Sequence, residues 1–148
     1  MLLHGSCVAL ADAGLLLLAP PGGGKSDLAL RLIGRGAALV TDDQVALTRD
    51  GDSLRAAPPA ALAGRMEVRG LGLLAGLPWR EASLALVVEL VPPSDVPRLP
   101  RPAGWSALGI ELPLIRIDGR ATSAPDVLIQ AVAVLDGRLS LDAGAFAA

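Results

Sequence analysis

The stretch Gly14-Leu15-Leu16-Leu17-Leu18-Ala19-Pro20-Pro21-Gly22-Gly23-Gly24-Lys25-Ser26 decides how this chain folds. Its first half is apolar, which suits a short strand buried on both faces. Its second half is a glycine loop that ends in Lys-Ser. From Lys25 to Arg35, Leu28 with Leu32 and Ala29 with Ile33 recur at the i, i+4 spacing of an amphipathic helix. Strand, glycine loop and helix in that order make a phosphate-binding loop, here with Ala19 in place of the first glycine. In such a loop successive backbone N–H groups and the helix N-terminus wrap a phosphate. Ala19, Pro20, Pro21, Gly22, Gly23, Gly24, Lys25 and Ser26 are therefore the candidate nucleotide-binding positions. Lys25 reaches the β- and γ-phosphates of ATP and the Ser26 hydroxyl binds Mg²⁺. Lys25 is also the only lysine of the chain, set where the loop requires one. Without ligand its ammonium is expected to be exposed.

Outward from the loop, Leu39-Val40-Thr41 reads as the next strand and ends in Asp42-Asp43. Two carboxylates at a strand end, one strand along from a phosphate loop, suit a pair in which one orients Mg²⁺ and the other acts as base. Ser6–Leu10 and Leu15–Ala19 read as strands around an Asp12-Ala13-Gly14 turn. Gln44–Thr48 and Ser53–Ala57 form a hairpin about Asp50-Gly51. Met66–Arg69 and Leu71–Leu77 are short strands parted by glycine. Ser83–Val91 is a strand, Pro92–Gly104 with its five prolines is a loop, and Leu112–Ile117 is a further strand. A helix over Pro125–Asp136 starts at a capping-box pattern, Ser123 with Asp126, and Gly137 closes it. The segment Ala143–Ala148 is expected to be loose. These elements describe one α/β domain, a mixed sheet with few helices.

The 148 residues are 52% hydrophobic and 19% charged, which excludes a disordered chain. One cysteine, Cys7, excludes a disulfide scaffold and reads as a small core residue. A net charge of −2 and three aromatic side chains give neither the basic field nor the stacking platform of a nucleic-acid binder. The longest apolar run near the start is too short to span a membrane, and no basic residue precedes it as in a signal peptide. A cytoplasmic setting is the expectation.

Glu67 and Arg69, two apart, would point the same way from a strand toward a nucleotide and metal, with Gly70 and Gly72 allowing close backbone approach. Taken alone they would read as a solvated ion pair, and His4, the only histidine, as a surface residue. Together the order His4-Gly5, Ala19–Ser26, Leu39-Val40-Thr41-Asp42-Asp43-Gln44-Val45 and Glu67-Val68-Arg69-Gly70-Leu71-Gly72 resembles the catalytic domain of HPr kinase/phosphorylase. The resemblance covers residues 4–136.

That resemblance implies a phosphate-loop α/β domain akin to phosphoenolpyruvate carboxykinase, using ATP and Mg²⁺ to phosphorylate a serine on the phosphocarrier protein HPr. In reverse, inorganic phosphate would remove the phosphoryl group. It implies that Ser26 and Glu67 bind Mg²⁺, and the strand-end reading adds Asp42 to the metal candidates. It also implies that Asp43 takes the serine proton, and that Lys25 and His4 complete the active site. Gly119-Arg120 matches the end of the family's dephosphorylation motif, which puts Arg120 among the catalytic candidates. Asp118, beside it, is expected to repel phosphate if it lines the site. Arg101 is a candidate for the family's mid-region arginine. The chain looks like a short form without the family's N-terminal domain. Homo-oligomers and a sensor kinase are candidate partners. The alternatives are a phosphate-loop kinase of a small molecule and a nucleotide-binding sensor module without turnover.

Overall fold

Leu15, Leu16 and Leu17 are all fully buried, and they are buried in two different cores. The computed structural model describes residues 1–147 and explains why. Its strands are β1 (Leu2–His4), β2 (Ser6–Leu10), β3 (Ala13–Leu18), β4 (Ala38–Thr41), β5 (Gln44–Asp50), β6 (Ser53–Ala57), β7 (Met66–Val68), β8 (Gly72–Leu74), β9 (Ala82–Leu90), β10 (Gly104–Ala107) and β11 (Ile110–Ile117). Its α-helices are α1 (Lys25–Ile33) and α2 (Ala124–Leu135). The central sheet runs β4-β2-β3-β9-β11. β3 pairs parallel with β9 (Leu16↔Val87) and β9 parallel with β11 (Val88↔Ile115). β2 is antiparallel to both β3 and β4, so β3, β4, β9 and β11 point the same way. β1-β5-β6 joins through an antiparallel contact of β6 with the start of β9, and curls across one face.

Alternation along β3 then sorts the leucines. Leu15 and Leu17 pack with Val8, Leu86 and Val88 beneath Leu28 and Leu32 of α1 and Leu128 of α2. Leu16 faces the other way, with Cys7, Val40 and Val87, onto Val45, Leu47 and Leu54 of the curled strands. Each such side chain contributes roughly 1.5–3 kcal/mol of burial. Both cores need β3, which is why it carries no polar position.

This topology positions the site. The loops after β3, β4 and β11 and the residues before β2 all leave the sheet at one end. In parallel α/β sheets that end, at the strand C-termini, is where ligands bind.

Several local expectations are corrected. Gly14 is no turn residue: Leu10 pairs with Ala13, and Ala11 (φ 51) with Asp12 makes the turn. A Cβ at Gly14 would lie 2.6 Å from the Ser83 carbonyl, so glycine there lets β3 approach β9. In the next hairpin Asp50 pairs with Ser53, which makes Gly51-Asp52 the turn. The strand expected over Leu71–Leu77 shrinks to Gly72–Leu74. β1 and β10 were not legible. β1 has three residues, and β10 is joined to β11 through Leu108 (φ 51) and Gly109 (φ 78), a two-residue turn that places leucine where Asn or Asp is the usual signal. Ser123 precedes α2 without a side-chain capping bond, and Asp126 instead pairs with Arg35 beyond the end of α1. The end of the chain is not loose, since Ala145 and Phe146 pack against the core under the helices. Ala148 lies outside the described residues.

Candidate active site

The loop after β3 turns tightly into α1. A Cβ at Gly23 would meet the Ala19 Cβ at 2.5 Å and the Pro20 carbonyl at 2.8 Å, so the alanine at the first position makes glycine at 23 obligatory. Gly24 (φ 95) caps α1, and no side chain makes a capping hydrogen bond to the helix's first turn. The N–H groups there are available to an anion. Lys25 is not exposed as expected. It is only 7% accessible, and its Nζ donates to the Ala19 carbonyl at 3.1 Å, bridging the loop it belongs to.

Asp42 and Asp43 are neighbours with opposite surroundings. Asp42 is buried, and one of its carboxylate oxygens accepts from Ser26 Oγ at 2.8 Å and from Ser6 Oγ at 2.7 Å. This ties the end of β4 to the first turn of α1. Asp43 adopts φ 73, a conformation that Asp tolerates better than most residues, and it carries the side chain outward. Its side chain is 67% exposed, and His4 Nδ1 lies 3.4 Å from Asp43 Oδ1. The turn is held by the Gly5 N–H donating to the Asp43 carbonyl (3.0 Å) and by Thr41 Oγ1 donating to the Gln44 carbonyl (2.7 Å). Strain of this kind persists where the surroundings over-determine it.

Opposite stands the β7–β8 hairpin, a separate two-stranded sheet anchored by Met66 in the core. Glu67, Val68 and Arg69 turn toward the loop. From the β11–α2 connection, Arg120 Nη2 donates to the Gly22 carbonyl at 2.6 Å. One cleft of about 550 Å³ is lined by His4, residues 21–26, Asp27, Leu30, Asp43, Glu67, Val68, Arg69 and Arg120.

The sequence matches the family model for the HPr serine kinase C-terminal domain over residues 1–143. The chain belongs to the HPr kinase C-terminal domain family. It is 36% identical over 140 residues to an HPr kinase/phosphorylase of Cupriavidus metallidurans, covering 87% of this chain and 43% of that one. An HPr kinase/phosphorylase of Burkholderia lata is also 36% identical, with 87% and 44% covered. The chain thus spans less than half the length of these curated relatives. The solved structure of the HPr(Ser) kinase/phosphatase from Coxiella burnetii superposes with a TM-score of 0.77 at 25% identity, covering 89% of this chain and 88% of that one. The fold is that of the HPr kinases, as the double aspartate and the Glu67–Gly72 stretch implied.

Within this family fold, most residues singled out in the sequence share the cleft: His4, Pro21 through Ser26, Asp43, Glu67 and Arg120. Five do not, of which Ala19 and Pro20 form the base of the loop behind the lining. Asp42 sits behind Ser26 and does not line the cleft, so its contact is with the hydroxyl. Asp118 lines a different, apolar groove, and its Oδ1 accepts the Arg120 backbone N–H at 3.0 Å. The repulsion expected of it therefore has no basis. Arg101 lies outside the cleft lining. Two residues were missed. Ser6 reads as an ordinary strand residue, and Arg31 is one of twelve arginines on an amphipathic helix. Only the long-range contacts mark them.

Ser26 Oγ and the Glu67 carboxylate supply hard oxygen donors at the two sides of the cleft. That fits Mg²⁺, which takes few protein ligands and completes its shell with phosphate oxygens and water.

Proposed function

We propose that this domain transfers the γ-phosphoryl group of ATP to a seryl hydroxyl of HPr. The observation that carries the reading is the placement of Asp43, with His4, in the same cleft as Lys25 and the phosphate loop. Phosphoryl transfer asks mainly for positioning and charge neutralisation. The loop amides and Lys25 hold the phosphates. Ser26 and Glu67 would hold Mg²⁺, which when bound neutralises charge on the transferring group. Asp43, exposed and turned to the cleft, accepts the proton of the attacking serine, and His4 beside it shares in holding that proton. Asp42 orients Ser26. Run backwards, phosphate attacks the phosphoserine phosphorus, pyrophosphate forms, and Asp43 returns the proton to serine. The names of the relatives, kinase/phosphorylase and kinase/phosphatase, support both directions.

A protein acceptor suits the cleft better than a small molecule. The hairpin that lines it presents Leu71 and Leu73 at 71% and 83% exposure. Exposed apolar side chains grouped beside a site mark contact with a macromolecule. The test is mass spectrometry of HPr after incubation with the domain and Mg-ATP. A gain of one phosphate on serine supports the reading, and ATP binding without transfer refutes it in favour of a sensor module. Pyrophosphate release from phosphoserine-HPr with millimolar phosphate and no ATP tests the reverse reaction.

A further inference from the structure

Arg120 stands on a turn between β11 and α2, and that turn is held from outside by a side chain of α1. Each nitrogen of the Arg31 guanidinium has a partner. Nη1 donates to the Ala121 carbonyl at 3.2 Å, Nη2 to the Gly119 carbonyl, and Nε to Asp27 Oδ2 at 3.0 Å. The two carbonyls flank Arg120 on either side. From inside the turn, Asp118 Oδ1 accepts the Arg120 N–H at 3.0 Å. With its backbone fixed from both sides, Arg120 reaches Gly22 in the phosphate loop at 2.6 Å. A ring of contacts closes: Gly22, the start of α1, Arg31, the 119–121 backbone, Arg120, and back to Gly22.

We propose that Arg31 is a positioning residue for Arg120 and fixes its guanidinium against the phosphate loop. Arginine is required because a planar fork spans two carbonyls and still has a third donor for Asp27. Lysine, a single point donor, can serve one of these at a time. Arg31 does not line the cleft, so its influence on phosphate passes through Arg120. Its side chain is 27% exposed, so solvent screens the contacts only in part.

The calorimetric arm of the test rests on the Mg-ATP binding proposed above, and the NMR arm does not. In the free protein, the Nη2 NMR signal of Arg120, assigned by its loss in R120K, should be resolved from that of Nη1 in wild type and merge with it, as in solvated arginines, in R31M. An Arg120 signal unchanged in R31M, with the fold intact by amide dispersion, overturns the proposal. Calorimetric titration with Mg-ATP of wild type, R31M, R120M and the double variant forms a cycle. R31M and R120M should each weaken binding about tenfold, the worth of one charged hydrogen bond, and the double variant no more than R120M alone. Losses that multiply would show that Arg31 acts independently of Arg120. R31K should recover only part of the loss, and full recovery would mean that charge alone suffices and the fork is irrelevant. If wild type fails to phosphorylate HPr, the proposed function falls while the NMR arm still decides this one.

Discussion

Adjacent aspartates divide two tasks because one backbone dihedral separates them. Asp42, buried, serves two hydroxyls, and Asp43, at φ 73, faces the cleft. Asp43→Asn should leave Mg-ATP binding intact and slow transfer to HPr by about 10²–10⁴, the usual worth of a general base. Single-turnover phosphorylation with a parallel calorimetric titration separates the two effects. Asp42→Ala should act differently. It strands the hydroxyls of Ser6 and Ser26, so chemical denaturation should show a loss of roughly 1–3 kcal/mol, with weaker nucleotide binding alongside. A catalytic defect in Asp42→Ala at full stability would reverse these roles.

At the level of elements, the loop and the hairpin each have a test of their own. Gly23→Ala places a methyl group 2.5 Å from the Ala19 Cβ, and that contact is with a rigid neighbour. The loop must open, and nucleotide binding should be lost while circular dichroism stays that of the parent. Gly23→Ala combined with Ala19→Gly should recover binding only in part, because the Pro20 backbone carbonyl still lies 2.8 Å from the added methyl group. Glu67, on the exposed edge of a three-residue strand, is free to change without harm to the core. Glu67→Gln should shift the Mg²⁺ concentration for half-maximal transfer upward. An unchanged Mg²⁺ dependence would return Glu67 to the solvated pair that its spacing first suggested. The hairpin itself was half legible: Met66–Val68 alternates as a strand should, whereas the glycines on either side of Leu71, Gly70 and Gly72, blur where its partner starts.

Across the whole molecule, burial silences the only thiol. Cys7 lies on β2 facing the core between the sheets, and desolvation pushes its pKa from 9.0 up to about 12. The unfolded chain releases this proton above pH 9 while the folded chain keeps it, so the unfolded state binds fewer protons and stability falls as pH rises from 9 toward 12. The chain has no tyrosine and one lysine, so few other side chains titrate in this window. Urea unfolding from pH 8 to 11 should therefore show a decline that Cys7→Ala flattens, and native Cys7 should resist alkylation at pH 8 until the protein unfolds. What the sequence by itself determined is what short-range chemistry dictates. The β3–loop–α1 unit follows from an apolar run, a glycine loop and an i, i+4 period that hold in any surroundings. The Asp42-Asp43 strand end and the Glu67–Gly72 stretch carry the family on identity and spacing. The tertiary structure alone shows which aspartate is buried, that Lys25 folds back on Ala19, that Asp118 serves the backbone instead of the cleft, and that Arg31 bonds the carbonyls on either side of Arg120. The burial of Asp42 and the contacts of Arg31 depend on partners far away in the chain, 36 and 16 residues for Asp42 and 88 and 90 for Arg31. Local propensity carries no record of such a partner, because the contact exists only once β3, β9 and β11 have set the two loops side by side.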